Sequence, residues 1–361
     1  MSKISSFHLF CILFVCRLLG TFTYMSQLQT TLHAGSRIAS AALCFVFSII
    51  GALPVLLLLR NQPNTSFLTA AETVSIKSSR VFGICYTFVF LFSAVITLTR
   101  FGLFAGTVLL QNAGLYIAIF FLLTISIYCV QQGLQALSKT AVIFAILICA
   151  SLLTIILGNV DNWQFINISA VQTNEISQIT KQAFLSACRN IEIPAVLFIA
   201  DQIQGKPSAV IVKFLATFSG LSVLLFTLAG GVLGEYGEQQ IFPLFTLSSI
   251  ADIGIFEHME DLLTGIWIVC AMLKTAFLLY VASKCLQKAT KKEGRLHHNI
   301  ISGCLIFAGF LLFSHDIPTS IRLLSTWLLP AGFILFAFLI PCIFYILISR
   351  KEKKLRKENK K

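Results

Sequence analysis

The stretch 186-SACRNIEIPAVLFIADQI-203 places Arg189, Asn190 and Glu192 within four residues, with Pro194 just beyond. Around it the chain is 57% hydrophobic and 12% charged over 361 residues, with a mean hydropathy of +0.87. Soluble domains carry about 25% charged residues. Several apolar runs here reach the roughly 20 residues a bilayer needs. The composition predicts an all-α polytopic membrane protein; a β-barrel would show short alternating segments instead. In such a chain, a cation, an amide, an anion and a helix breaker in one apolar segment mark a place where the helix opens. Opening frees backbone N–H and C=O groups, which are costly in lipid unless they line a cavity or meet a ligand.

Working outward, ten spans can be drawn: 7–28, 37–59, 81–109, 114–133, 138–158, 183–202, 209–233, 257–285, 300–315 and 323–348. The formal net charge of +12 does not indicate nucleic acid, because much of it lies in the 284–298 loop region and the tail KEKKLRKENKK. Lys and Arg collect in the segments that face one side if both termini are cytoplasmic. The tail, 351–361, reads as a basic cytoplasmic anchor to lipid phosphate. Residues 1–350 read as one permease-like membrane domain with two inverted halves, about 1–160 and 180–350.

The halves carry the symmetry signal. The first span contains 15-VCRLLGTFTYM-25, where Arg17 is followed by Gly20 and Thr21. The sixth contains the opening stretch. Polar-interrupted helices at matching positions of two halves point to a five-plus-five inverted repeat with broken first and sixth helices and a ligand site between them. Glu192 has two readings: a structural pair with Arg189, three residues earlier on the same face, or a ligand or proton site. Arg17 either snorkels to the interface or faces the cavity and holds a carboxylate. Lys274, in 267-WIVCAMLKTAFLLYV-281, is far from both ends of its span. There a fixed cation can replace a bound sodium ion or exchange a proton. Arg100 ends the apolar run of the third span. The segment 234–256 is too polar to span and too apolar for a free loop, and reads as an interfacial helix. The 11 cysteines contain no CxxC pair, and no nucleophile–base pair, phosphate loop or metal spacing appears. Neither an enzyme, a metal nor a cofactor is expected.

Glu235-Tyr236-Gly237-Glu238, Phe242-Pro243-Leu244-Phe245, Ile253-Gly254-Ile255-Phe256-Glu257, Trp267, Lys274 and Tyr280 together resemble the spore germination permeases. These GerAB-type proteins are the B subunits of nutrient germinant receptors, within the amino acid–polyamine–organocation superfamily. The likeness covers the chain in length, span number and basic tail. It implies a multi-pass protein of the spore inner membrane that works with A-type and C-type receptor subunits. It implies binding of a small nutrient, often an amino acid, that triggers germination. The alternative is a proton- or cation-coupled amino-acid transporter. On that likeness Gly20, Thr21, Asn190 and Glu192 fall on the ligand-holding broken helices, and Lys274 falls on a helix that helps form a cation site. Many members carry Gly-Glu in the sixth helix; here Ile191 stands before Glu192. The expected ligand-binding set is Arg17, Gly20, Thr21, Cys188, Arg189, Asn190 and Glu192, with Lys274 for cation or proton coupling.

Overall fold

The structure, a computed structural model, describes residues 3–27, 32–109, 114–252, 259–291 and 295–358. The described residues form helices joined by short connections, and the only strand-like pairing among them is one isolated bridge between Ile4 and Ile203. Nine segments among them are long and apolar enough to cross a membrane. A shorter apolar helix at Ser6–Thr21 precedes these. The protein is a multi-pass membrane protein.

In chain order, α1 is Ser6–Gln27, α2 Ala34–Asn61, α3 Phe67–Val74 and α4 Ile76–Phe104. Next come α5 Gly114–Gln132 and α6 Leu134–Leu157, completing the first half. The second half opens with α7 Ile176–Ala187 and α8 Glu192–Ile199, the two parts of one interrupted span, followed by α9 Pro207–Leu233. Two short helices, α10 Tyr236–Gln239 and α11 Pro243–Ile250, lead to α12 Glu260–Thr290. Then follow α13 Arg295–Phe313 and a tenth span of α14 Ile317–Leu323, α15 Leu329–Gly332 and α16 Ile340–Glu358.

The expected interfacial segment is thus α10 and α11, neither long enough to span. Its motif residues 253–257 lie outside the described residues. Observed spans run longer than the hydropathy edges: the third extends over Ile76–Leu109 and the sixth over Thr173–Gln202.

Local chemistry accounts for the joins. Ser66 caps α3, its hydroxyl accepting from the Thr69 N–H. Gly133, at φ 91°, turns the chain tightly between α5 and α6. Prolines reshape the tenth span. Pro330 and Pro341 each follow a π-helical stretch, Leu324–Leu328 and Phe333–Leu339. Proline removes a donor and clashes with the carbonyl four residues back, so the preceding turn widens.

The interior is held by α12, which packs on α4, α5, α1, α13 and α6, and by α2 on α9 and α7. α1 is buried against α6, α12 and α9. The sixth segment is broken, as the sequence predicts. The first differs from the expectation: α1 is helical without interruption over Ser6–Gln27, so Gly20 and Thr21 lie inside a continuous helix. A lone glycine lowers helix propensity by about 1 kcal/mol but removes no donor. Of the first and sixth segments, only the sixth has a proline.

Candidate functional site

The break is built residue by residue. In a continuous helix the residue-194 N–H would bond the Asn190 carbonyl, but Pro194 has none. Instead Ile193 N donates to Asn190 O at 3.1 Å, and Arg189 N and Asn190 N donate to Ser186 O and Ala187 O at 3.3 and 3.2 Å. These tight turns end α7, and Glu192 opens α8. Pro194 then sits in the first turn of α8, where a missing N–H costs nothing.

Side chains from other elements fasten the break. Arg17 donates from Nη2 to the Ser186 carbonyl at 2.9 Å, so a cation from α1 caps the negative C-terminal end of α7. Its guanidinium also lies 5.2 Å from the Phe218 ring centroid. At 3% exposure Arg17 does not snorkel. Asn190 Nδ2 donates to Ser48 Oγ of α2 at 2.9 Å.

Glu192 is bonded to Lys274 Nζ, across from the middle of α12, and not to Arg189. The expected three-residue pair fails because residues 188–191 are not helical, so positions 189 and 192 no longer share a face. Glu192 is 0% exposed and Lys274 5%. The second carboxylate oxygen, Oε2, has no hydrogen-bond partner, and neither do Nε and Nη1 of Arg17. Arg100 and Arg189, 4% and 7% exposed, lie within electrostatic reach of each other, and Arg100 also of Arg17 and Glu192. Four basic side chains are therefore buried around one break. Within this group the Glu192 carboxylate is bonded to Lys274.

Two cavities meet here. Arg17, Gly20, Thr21, Arg189 and Asn190 line one of about 40 Å³, with Ser40 and Ser48 of α2 and Ser222 of α9. A water takes roughly 10–15 Å³ of such space, so this cavity holds a few waters and no amino acid. Arg189 also faces the second cavity, of about 420 Å³, together with Cys188, Arg100 and Lys274. Glu192 lines neither. Five of the eight expected residues thus share the small cavity, while Cys188 and Lys274 face the large one.

The sequence reading missed the α2 wall. Ser36, Ser40, Cys44 and Ser48 recur every four residues, a polar stripe on one helix face. That period was visible in the sequence.

Stacked aromatics lie on one side of the pair. Trp267 lies over Phe104 at 3.8 Å between centroids and meets Phe242 edge-on at 5.2 Å. Towards the other end of α12, Tyr280 donates to Gln202 Oε1 at 2.8 Å, and Lys284 and Lys288 bond Asp201 and Glu72 at 2.7 and 2.8 Å. No group of three or more His, Cys, Asp or Glu side chains among the described residues is placed to hold a metal ion.

The family model described as "Spore germination protein" matches residues 3–320. The chain belongs to the spore germination protein family. Members of this family are membrane permease-like proteins and not enzymes. Among solved structures, the fold is similar to a nucleobase-cation-symport-1 family transporter in a closed conformation with bromovinylhydantoin bound. That match has a TM-score of 0.56 at 15% identity and covers 95% of this chain and 81% of that one. It is also similar to a Na⁺-coupled sialic acid symporter in a substrate-bound outward-open state, with a TM-score of 0.55 at 13% identity, covering 92% and 86%. No curated protein matches the sequence. The fold of this spore germination family member is accordingly the five-plus-five inverted repeat of these transporters.

Proposed function

We propose that this chain is the membrane subunit of a nutrient germinant receptor in the spore inner membrane. It has both termini cytoplasmic and works with A-type and C-type subunits. The ligand is a small nutrient with the charges of an amino acid, held at the break between α7 and α8. One observation carries this reading: the break holds unsatisfied atoms of both signs, Glu192 Oε2 and Arg17 Nε and Nη1, all buried. An ammonium would satisfy the first and a carboxylate the others, and charged hydrogen bonds of this kind contribute about 1.5–3 kcal/mol each. The small cavity is occluded, so binding requires the helices around the break to move apart. Partner subunits would read that movement, since a ligand shifts an equilibrium only as far as it favours one state.

The second reading is a cation-coupled amino-acid transporter, favoured by the symporter fold and by Lys274, a fixed cation inside it. Labelled amino-acid uptake separates the two. The receptor reading expects no accumulation in proteoliposomes under a sodium or proton gradient, and loss of the nutrient response in spores lacking the chain. Gradient-driven accumulation together with an unaltered spore response would reject it.

A further inference from the structure

The small cavity beside the break has hydroxyls in its lining that the charged ends of an amino acid do not explain. Many hydroxyls in the spans close back on their own helix. Thr87 donates to Gly83 O at 2.7 Å, Ser93 to Val89 O at 2.8 Å and Thr97 to Ser93 O at 2.8 Å. Ser222, in the cavity wall, donates to Phe218 O at 2.9 Å. Thr21 of α1, Ser40 of α2 and Ser219 of α9 do not follow this pattern. All three line the cavity, and none of their hydroxyls makes a hydrogen bond among the described residues. Thr21 and Ser40 are 8% and 2% exposed, and Ser219 is half-buried. Burying a hydroxyl without a partner is costly. Helix packing does not account for them. Serines that glue membrane helices bond across the seam, and small residues that let two backbones meet leave no space beside them. These three bond to no neighbouring helix and face a cavity of about 40 Å³.

We infer that Thr21, Ser40 and Ser219 determine nutrient specificity, and that the nutrient is an amino acid with a short, neutral, polar side chain carrying a hydroxyl or carboxamide. The inference rests on the nutrient site proposed at the break. There the α-ammonium goes to Glu192 and the α-carboxylate to Arg17, which itself lines the cavity. The side chain is then directed at the hydroxyls beside Arg17. Space for a few waters suits a short polar head. An apolar side chain would displace those waters without replacing their hydrogen bonds, which loses affinity. The charged residues of the lining, Arg17 and Arg189, are both cations and disfavour a basic side chain. An acidic one gains no free cation, because Arg17 holds the α-carboxylate and Arg189 already has interactions of its own.

The test uses purified full-length protein in nanodiscs and two nearly isosteric pairs, threonine with valine and asparagine with leucine. In thermal melting, the polar member of at least one pair should stabilise the protein, with an affinity about tenfold or more above that of its partner. The triple variant Thr21→Val, Ser40→Ala, Ser219→Ala should keep the parent melting temperature, since no hydrogen bond is lost. It should bring the two members of that pair to similar affinity, and each single variant should remove part of the preference. If valine binds as well as threonine and leucine as well as asparagine in the wild type, the inference is overturned while the nutrient site stands. A polar preference undiminished in the triple variant would also overturn it. If no amino acid shifts the melting of the wild type, the nutrient reading itself fails and this inference with it.

Discussion

Lys274 and Glu192 are bonded to each other inside the bundle, one from the middle of α12 and the other from the first residue of α8. A single charge at that depth costs roughly 2.5–3.5 kcal/mol on insertion scales. Pairing offsets much of this, and removing one partner strands the other. Glu192→Gln alone and Lys274→Met alone should each destabilise by about 3–5 kcal/mol. The double variant Glu192→Gln, Lys274→Met should recover abundance and melting temperature. A thermal-melting cycle over the four proteins measures the coupling. Additive losses would mean the pair does not form.

Arg17 and α7 give the second prediction. Arg17→Lys keeps the charge but loses the planar fork over Phe218 and the reach to the Ser186 carbonyl. Arg17→Met loses the charged capping bond as well, about 1.5–3 kcal/mol, and leaves the Ser186 carbonyl with the Arg189 N–H. Melting should fall in the order wild type, Lys, Met. Equal melting of wild type and Met would remove Arg17 from the break.

Two glycines set a contrast. A Cβ at Gly35 would overlap the Ser169 backbone carbonyl, which has no flexible end to swing aside. Gly35→Ala should therefore cost about 1–3 kcal/mol, as overpacking does. Gly332→Ala meets open space and should be neutral or slightly stabilising, because alanine favours the helix. Expression level and melting temperature of the two variants check this directly.

Much of this was legible before any coordinates. Composition and run length specify the class, and Pro194 beside Arg189, Asn190 and Glu192 locates the break. What the sequence could not supply is pairing across 82 residues. Periodicity places Arg189 three positions from Glu192, and that pair is valid only on an intact helix, which Pro194 forbids. Gly20 and Thr21 looked like a second break because a matching half invites one. Without a proline, α1 keeps its donors and stays helical. The large cavity was hidden for another reason. Its wall comes from π-helical turns in the tenth span, and hydropathy cannot distinguish these from α-helix.

Orientation carries a prediction of its own. Glu235 should face the outside and Lys77 the inside. In a background lacking the other reactive cysteines, Glu235→Cys should react with an impermeant maleimide in intact cells. Lys77→Cys should react only after permeabilisation. The reverse pattern would invert the topology.

The central claim, that the Glu192–Lys274 break binds the nutrient, is tested most directly by thermal melting of purified wild type and of the Glu192→Gln, Lys274→Met double variant. Each is measured against each proteinogenic amino acid. At least one amino acid should stabilise the wild type. At the same concentration it should leave the double variant unmoved, with affinity weakened by about tenfold or more, as expected for a lost charged contact. An equal shift in both proteins would contradict the account.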